Sequence, residues 1–181
     1  MLQMLESTTT ASGIYAVDLH CYRARCPLAA KPANGIHRVN NTYWQPGGPV
    51  FYYDFGEDGV TDPTADGSLA GKIAGVEFLS APVELAKKYH GLAIGLEHRF
   101  FGFSQPFPVN EATGVPLDGA DAYQYLTIEQ ALEDVVYLAQ NLEIPGYTKD
   151  ELAALRPSQT PWIWFGGSYP GARGAWIRHR M

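Results

Sequence analysis

Six residues, Gly166-Gly167-Ser168-Tyr169-Pro170-Gly171, constrain this chain more than any other stretch. They follow Trp162-Ile163-Trp164-Phe165, an apolar run of strand length, and precede a segment over 172–181 that reads as helical. A strand that passes through a glycine-flanked turn straight into a helix belongs to an α/β layer structure. A serine at the tip of such a turn is held in a strained conformation that lifts its hydroxyl above the sheet, and this geometry makes a nucleophile elbow. The backbone passes close to its neighbours there, so the flanking residues must be small; Gly166 and Gly167 meet that demand. Pro170 stands where the usual pattern has glycine, and Gly171 comes one later; proline in a first helical turn lacks only a donor that would be unpaired anyway. The amide of Tyr169, directly after the serine, is placed to supply half of an oxyanion hole. The turn also has a plain reading, a glycine-rich strand–helix connection without chemistry. A phosphate-binding loop is disfavoured because the lysine it requires is absent.

The rest of the chain supplies the layers. After Gln45-Pro46-Gly47-Gly48-Pro49, the run Val50-Phe51-Tyr52-Tyr53 predicts a buried strand. Residues 54–67 hold five acidic residues and three glycines and read as a loop. Apolar positions at helical spacing over 69–89 predict a helix that Pro82 divides into two pieces. Gly91-Leu92-Ala93-Ile94-Gly95-Leu96 predicts a second strand, and residues 102–122 a long surface excursion. Thr127 caps a further helix, with Gln130 as its capping-box partner and an apolar face of Ala131, Leu132, Val135, Leu138, Ala139 and Leu142. Residues 1–37 show no usable periodicity and read as an irregular leader before a single unit over 38–181. Strands alternating with helices predict a parallel sheet with crossover helices.

Composition limits the function classes. The 181 residues carry a net charge of −6, with no basic run, which disfavours nucleic acid as a partner. No apolar run approaches the ~20 residues of a membrane span. Cys21 and Cys26 are too few for a disulfide scaffold and lack a second pair for zinc, which leaves a local disulfide or two free thiols. No histidine accompanies the carboxylates of the acidic loop Asp54–Asp58 at ligand spacing, and neither metal nor cofactor is expected. The start of the chain lacks a signal peptide's pattern, whereas Asn40-Asn41-Thr42 is a glycosylation sequon that matters only in a secreted protein.

Glu97-His98-Arg99 ends the second predicted strand, at the loop-facing edge where α/β sites form. His98 can be imagined as a base, but a structural role is favoured, with Glu97 and Arg99 paired beneath the site. His179 is ~16 Å along the same predicted helix from Ser168, too far to serve it. His20, His37 and His90 fall outside any constellation. Glu57 either points a carboxylate into the site or belongs to a solvated loop.

Four segments together carry a resemblance. Pro49-Val50-Phe51-Tyr52-Tyr53 with Gly56-Glu57, Glu97-His98-Arg99-Phe100-Phe101-Gly102 with Ser104 and Pro106, Tyr125-Leu126-Thr127-Ile128-Glu129-Gln130-Ala131-Leu132, and Gly166-Gly167-Ser168-Tyr169 occur in this order and spacing. From about Val39 to Met181 the chain resembles the N-terminal part of the lysosomal Pro-X carboxypeptidase and dipeptidyl-peptidase II family of serine peptidases, most closely its fungal branch. The resemblance implies an α/β-hydrolase core ending just after the elbow, and cleavage of peptides with proline near a terminus. It implies a secreted, lysosomal or vacuolar setting. It makes Ser168 the nucleophile, Tyr169 the oxyanion residue and Glu57 a substrate-end glutamate. The family's triad aspartate and histidine follow the nucleophile beyond an inserted cap, so this chain is expected to lack both and to be inactive alone. Phe103 stands where many members have glutamate. A non-catalytic binding remnant, or an esterase or lipase on the same fold, are the competing readings. Open sheet edges predict self-association, against which a compact, protease-resistant monomer would speak.

Overall fold

The computed structural model describes residues 12–19, 33–57, 80–102, 104–110 and 112–179. Five strands form one mixed sheet: β1 (Ser12–Leu19), β2 (Ala33–Asn40), β3 (Val50–Asp54), β4 (Leu92–Leu96) and β5 (Trp162–Phe165), in the order β1-β2-β4-β3-β5. Among the described residues four α-helices accompany them: α1 (Ser80–Tyr89), α2 (Ile128–Asn141), α3 (Lys149–Ala154) and α4 (Ser168–Ile177).

The three strands expected from apolar runs are all present and mutually parallel, with β3 central between β4 and β5. β3 and β4 are continuously apolar and buried almost throughout, whereas β5 at the sheet edge is only partly covered and leaves Ile163 exposed. Alternation along β3 divides the core: Val50 and Tyr52 join Leu92, Ile94 and Leu96 against α2, while Phe51 joins Ala93 and Ala86 on the α1 side.

Two expectations are corrected. The sheet is not wholly parallel: β1 pairs antiparallel with β2, and β2 antiparallel with β4. Nor is 1–37 without regular structure, since β1 and most of β2 lie within it. β2 mixes polar and apolar residues on both alternate sets, and β1 carries Ile14 and Ala16 on the same set as Ser12 and Asp18, so the period-two signal is weak and their order comes from cross-strand pairing over eight positions.

The helix containing Pro82 is described from Ser80, so the proline sits in its first turn, where a missing donor costs nothing. The earlier helical piece, Phe103, His20, Cys21 and Cys26 lie outside the described residues. The predicted excursion over 102–122 returns to the body: a 3-10 turn over Gly119–Tyr125 brings Ala122 and Tyr125 onto Phe107, with Phe100 packed against them. Helix α3 was not expected, although Thr148 and Glu151 close a full capping box at its start.

Candidate active site

Because β3, β4 and β5 are parallel, the turns that leave their carboxyl ends gather at one edge of the sheet. Gly56-Glu57, Glu97-His98-Arg99 and Gly167-Ser168 therefore become neighbours.

Ser168 is exposed and has φ of +55°, a conformation an L-residue adopts only under constraint. Such strain costs on the order of 1–3 kcal/mol and persists only where the surroundings over-determine it. The constraint is visible around Pro170. A Cβ on Gly166 would stand 2.7 Å from Pro170 Cβ and 2.8 Å from its carbonyl carbon, and one on Gly56 (φ +62°) would stand 2.3 Å from Pro170 Cγ. Trp164 Nε1–H donates to the Pro170 carbonyl at 2.9 Å, fastening the first turn of α4 back onto β5. Gly171 lies against Gly166 O, 3.0 Å from where its Cβ would be. Gly167 differs from expectation: it caps the helix in an extended conformation (φ −112°, ψ 161°), with open space where a Cβ would project. Helix α4 begins at Ser168 itself, four residues before the predicted start.

The Glu97-His98-Arg99 segment is buried throughout. Arg99 grips Asp134 of α2, with Nε–Oδ2 at 2.6 Å and Nη2–Oδ1 at 2.5 Å. Its Nη1 donates to Tyr125 O and Gln130 Oε1. That second bond explains why Thr127 caps α2 but Gln130 does not complete the predicted capping box: the glutamine side chain turns to the arginine. Glu97 accepts from the Ser104 amide at 2.6 Å, pinning the next loop. Within that loop Phe100 is a second residue at positive φ, +66°.

His98 sits with Nδ1 2.7 Å from Arg99 O and Nε2 3.1 Å from the Tyr169 hydroxyl. Burial, assisted by the Arg173 and Arg99 charges, lowers its pKa to about 4. Both ring nitrogens are engaged.

Sequence reasoning missed a buried ion pair beneath the elbow. Arg173 of α4, 2% exposed, donates from Nη1 to Asp54 Oδ1 at 2.8 Å and from Nη2 to Ala131 O at 2.9 Å. Asp54 Oδ1 also accepts from the Gly56 amide at 3.0 Å. Arg173 thus ties the end of β3, helix α2 and the elbow helix together, and its guanidinium lies over the rings of Trp164 and Tyr169. Burial raises the pKa of Asp54 against the pull of Arg173, and that of Asp134 against its hydrogen bond and charge pairing with Arg99.

Glu57 is exposed in the turn after β3, and its charge is among the influences that raise the Tyr169 hydroxyl pKa, after burial and Asp54. Asn40 lies at the opposite edge: it pairs with Ala93 at the start of β4, and its Oδ1 accepts from the Thr42 amide. His37 is fully buried, whereas His90 and His179 are exposed. Among the described residues no group of three or more histidine, cysteine or acidic side chains is placed to hold a metal ion. No helix among them is long and apolar enough to cross a membrane.

The two buried histidines predict a pH dependence. Burial lowers His37, like His98, to about 4 from 6.5. The unfolded chain therefore binds protons that the folded chain refuses. Each contributes about 3 kcal/mol above pH 6.5, and that contribution is lost as pH falls towards 4. Asp54 and Asp134, raised by burial, act in the opposite sense, so the comparison must isolate one histidine. The stability advantage of wild type over His98→Gln, from urea unfolding, is expected to shrink by about 2–3 kcal/mol between pH 7 and 4.5. An unchanged difference would show that His98 does not titrate as its burial requires.

The profile of the serine carboxypeptidase S28 family matches residues 37–181. The chain belongs to that family. Among relatives of this S28 chain, "Serine protease vicPa" of Bipolaris victoriae is 34% identical over 138 residues, 76% of this chain and 22% of the relative. "Probable extracellular serine carboxypeptidase" of Arthroderma benhamiae is 30% identical over 154 residues, 84% of this chain and 18% of the relative. Human "Thymus-specific serine protease" is 33% identical over 147 residues, 77% and 22% of the two chains. The S28 chain thus spans about a fifth of the length of these relatives. The matched region begins within β2 and takes in all three parallel strands and the elbow.

Proposed function

We propose that the chain carries the nucleophile of a serine-type exopeptidase with an α/β-hydrolase core, acting on peptides with proline near a terminus. The observation that carries this is Ser168: exposed, at φ +55°, opening a helix directly after a parallel strand in an S28 chain. In this reading Ser168 Oγ attacks the scissile carbonyl and forms an acyl-enzyme. The Tyr169 amide stabilises the oxyanion, and Glu57 faces the substrate's free end. The base that takes the hydroxyl proton comes from outside the described residues, because His98 is engaged on both nitrogens and His179 is exposed beyond the far end of α4. The same reading places the protein outside the cell or in an acidic compartment, with Asn40 available to a glycan.

A fluorophosphonate probe tests it, with the site of modification mapped by mass spectrometry. A serine in a formed oxyanion site retains part of its reactivity without the base. Modification is expected at Ser168 in preference to the exposed Ser158 and to vanish in Ser168→Ala. Added imidazole, standing in for the base, is expected to accelerate it at Ser168 alone. A folded chain in which Ser168 reacts no faster than Ser158, with or without imidazole, would overturn the assignment. Turnover of proline-containing dipeptide amides against short acyl esters then separates a peptidase from an esterase.

A further inference from the structure

We infer that His98 is a positioning residue for the elbow: by accepting a hydrogen bond from the Tyr169 hydroxyl it fixes the main-chain amide that follows Ser168. The inference rests on the proposed role of that amide in binding an oxyanion. Its structural basis is independent of that role.

A carbonyl only accepts, so the 2.7 Å contact to Arg99 O places the ring hydrogen of His98 on Nδ1. Nε2 then carries the lone pair, and at 3.1 Å the Tyr169 hydroxyl must donate to it. The histidine has no freedom to exchange these roles. It is buried, its ring meets Phe101 edge-on at 5.2 Å, and burial keeps it neutral down to about pH 4. The Tyr169 ring is held on its face as well, by the Arg173 guanidinium 5.6 Å from its centroid. That guanidinium is itself fixed by Asp54 and Ala131 O.

A tyrosine has only two side-chain torsions, so anchoring both its tip and its face anchors its backbone. The residue before it is Ser168, whose left-handed conformation needs support from outside the helix. Gly167 gives that turn only a carbonyl, which accepts from the Gly171 amide at 3.3 Å. The tether runs from the end of β4 through His98 to the peptide whose N–H is proposed to bind the oxyanion. This gives the histidine of Glu97-His98-Arg99 a task other than proton transfer.

Two-dimensional NMR of the isotopically labelled chain tests the tether without calling on activity. Tyr169→Phe removes one oxygen from a partly exposed ring and leaves the fold intact. It is expected to shift the His98 Nε2 resonance and the amide signals of Ser168 and Tyr169. His98→Leu should move the same two amides, while those of Val135 and Leu138 in the core stay in place. His98→Gln, whose amide oxygen reaches the Nε2 position, should restore them. Ser168 and Tyr169 amides that stay put in both Tyr169→Phe and His98→Leu would overturn the inference.

The functional readout is the imidazole-accelerated modification of Ser168. It is expected to slow on the order of tenfold in His98→Leu and Tyr169→Phe and to recover in His98→Gln, as slight misplacement of an oxyanion donor requires. A wild-type chain that never reacts at Ser168 would sink the nucleophile assignment, while the amide shifts still decide the tether.

Discussion

Replacing Arg173 by methionine is expected to destabilise the chain by about 3–5 kcal/mol, the range for removing one partner of a buried pair. For a domain of this size that lowers the melting temperature by on the order of 10 °C. The arginine and Asp54 side chains are 2% and 0% exposed, so neither charge is compensated by water. Methionine fills much of the lost volume but leaves Asp54 without its cation and takes from the Ala131 carbonyl the donor it has besides the helix ladder. The Asp54 carboxyl, already raised by burial with the arginine present, takes up a proton when the arginine is gone, and that limits the loss. The pair is not perfectly satisfied even in the native chain: among the described residues, Asp54 Oδ2 and Arg173 Nε have no hydrogen-bond partner. Much of the effect is therefore the cost of an orphaned charge rather than the net value of the pair. The double variant Asp54→Asn/Arg173→Met separates the two. It keeps an oxygen for the Gly56 amide and removes both charges, and it is expected to recover more than half of the loss. Urea and thermal unfolding measure both variants. An Arg173→Met chain within about 1 kcal/mol of wild type would show that the interior relaxes around the missing charge.

These buried charges also mark where the sequence became unreadable. The elbow was legible because its chemistry is local: an apolar strand, glycine beside serine, and a helix follow one another within a dozen residues. The same holds for α2, where Thr127 and the apolar face through Ala131, Val135 and Leu138 announce a capped, half-buried helix. Asp54 and Arg173 stand 119 positions apart, and each alone looks like a solvated charge. Asp134 offered a fainter signal, since its position falls on the buried side of α2 beside Val135, where an acid must find a cation. Nothing local says that the cation is Arg99 rather than a nearer lysine. The β1–β2 pair failed for a related reason: neither strand alternates cleanly, and only the ladder between them shows the register. Helix α3 carries a local signal, because Thr148 and Glu151 stand in the sequence at capping-box spacing, but six residues hold too few apolar positions to show a helical period.

Gly166→Ala is expected to dismantle the elbow, whereas Gly167→Ala one position later should be nearly silent. At Gly166 the new methyl meets Pro170 at Cβ, C and O, at 2.7, 2.8 and 2.9 Å. Two of those atoms are backbone of the first turn of α4, which Trp164 holds from the other side. Relief requires that turn to move, and Ser168 moves with it; the overpacking costs roughly 1–3 kcal/mol or more. At Gly167 the backbone is extended and the space is open, so the change should stay within about 0.5 kcal/mol. Gly56 supplies the control on mechanism. Its added methyl would strike Pro170 Cγ and Cδ, ring atoms that Pro170→Ala removes, although the strain of φ +62° would remain. Gly56→Ala and Pro170→Ala should therefore couple favourably in a double-mutant cycle. Gly166→Ala should gain little from Pro170→Ala, because alanine keeps the Cβ and the backbone it collides with. Unfolding free energies give both couplings, and Ser168 modification shows whether the elbow survives. Equal tolerance of alanine at 166 and 167 would mean that Pro170 is not what wedges Ser168 into its strained conformation.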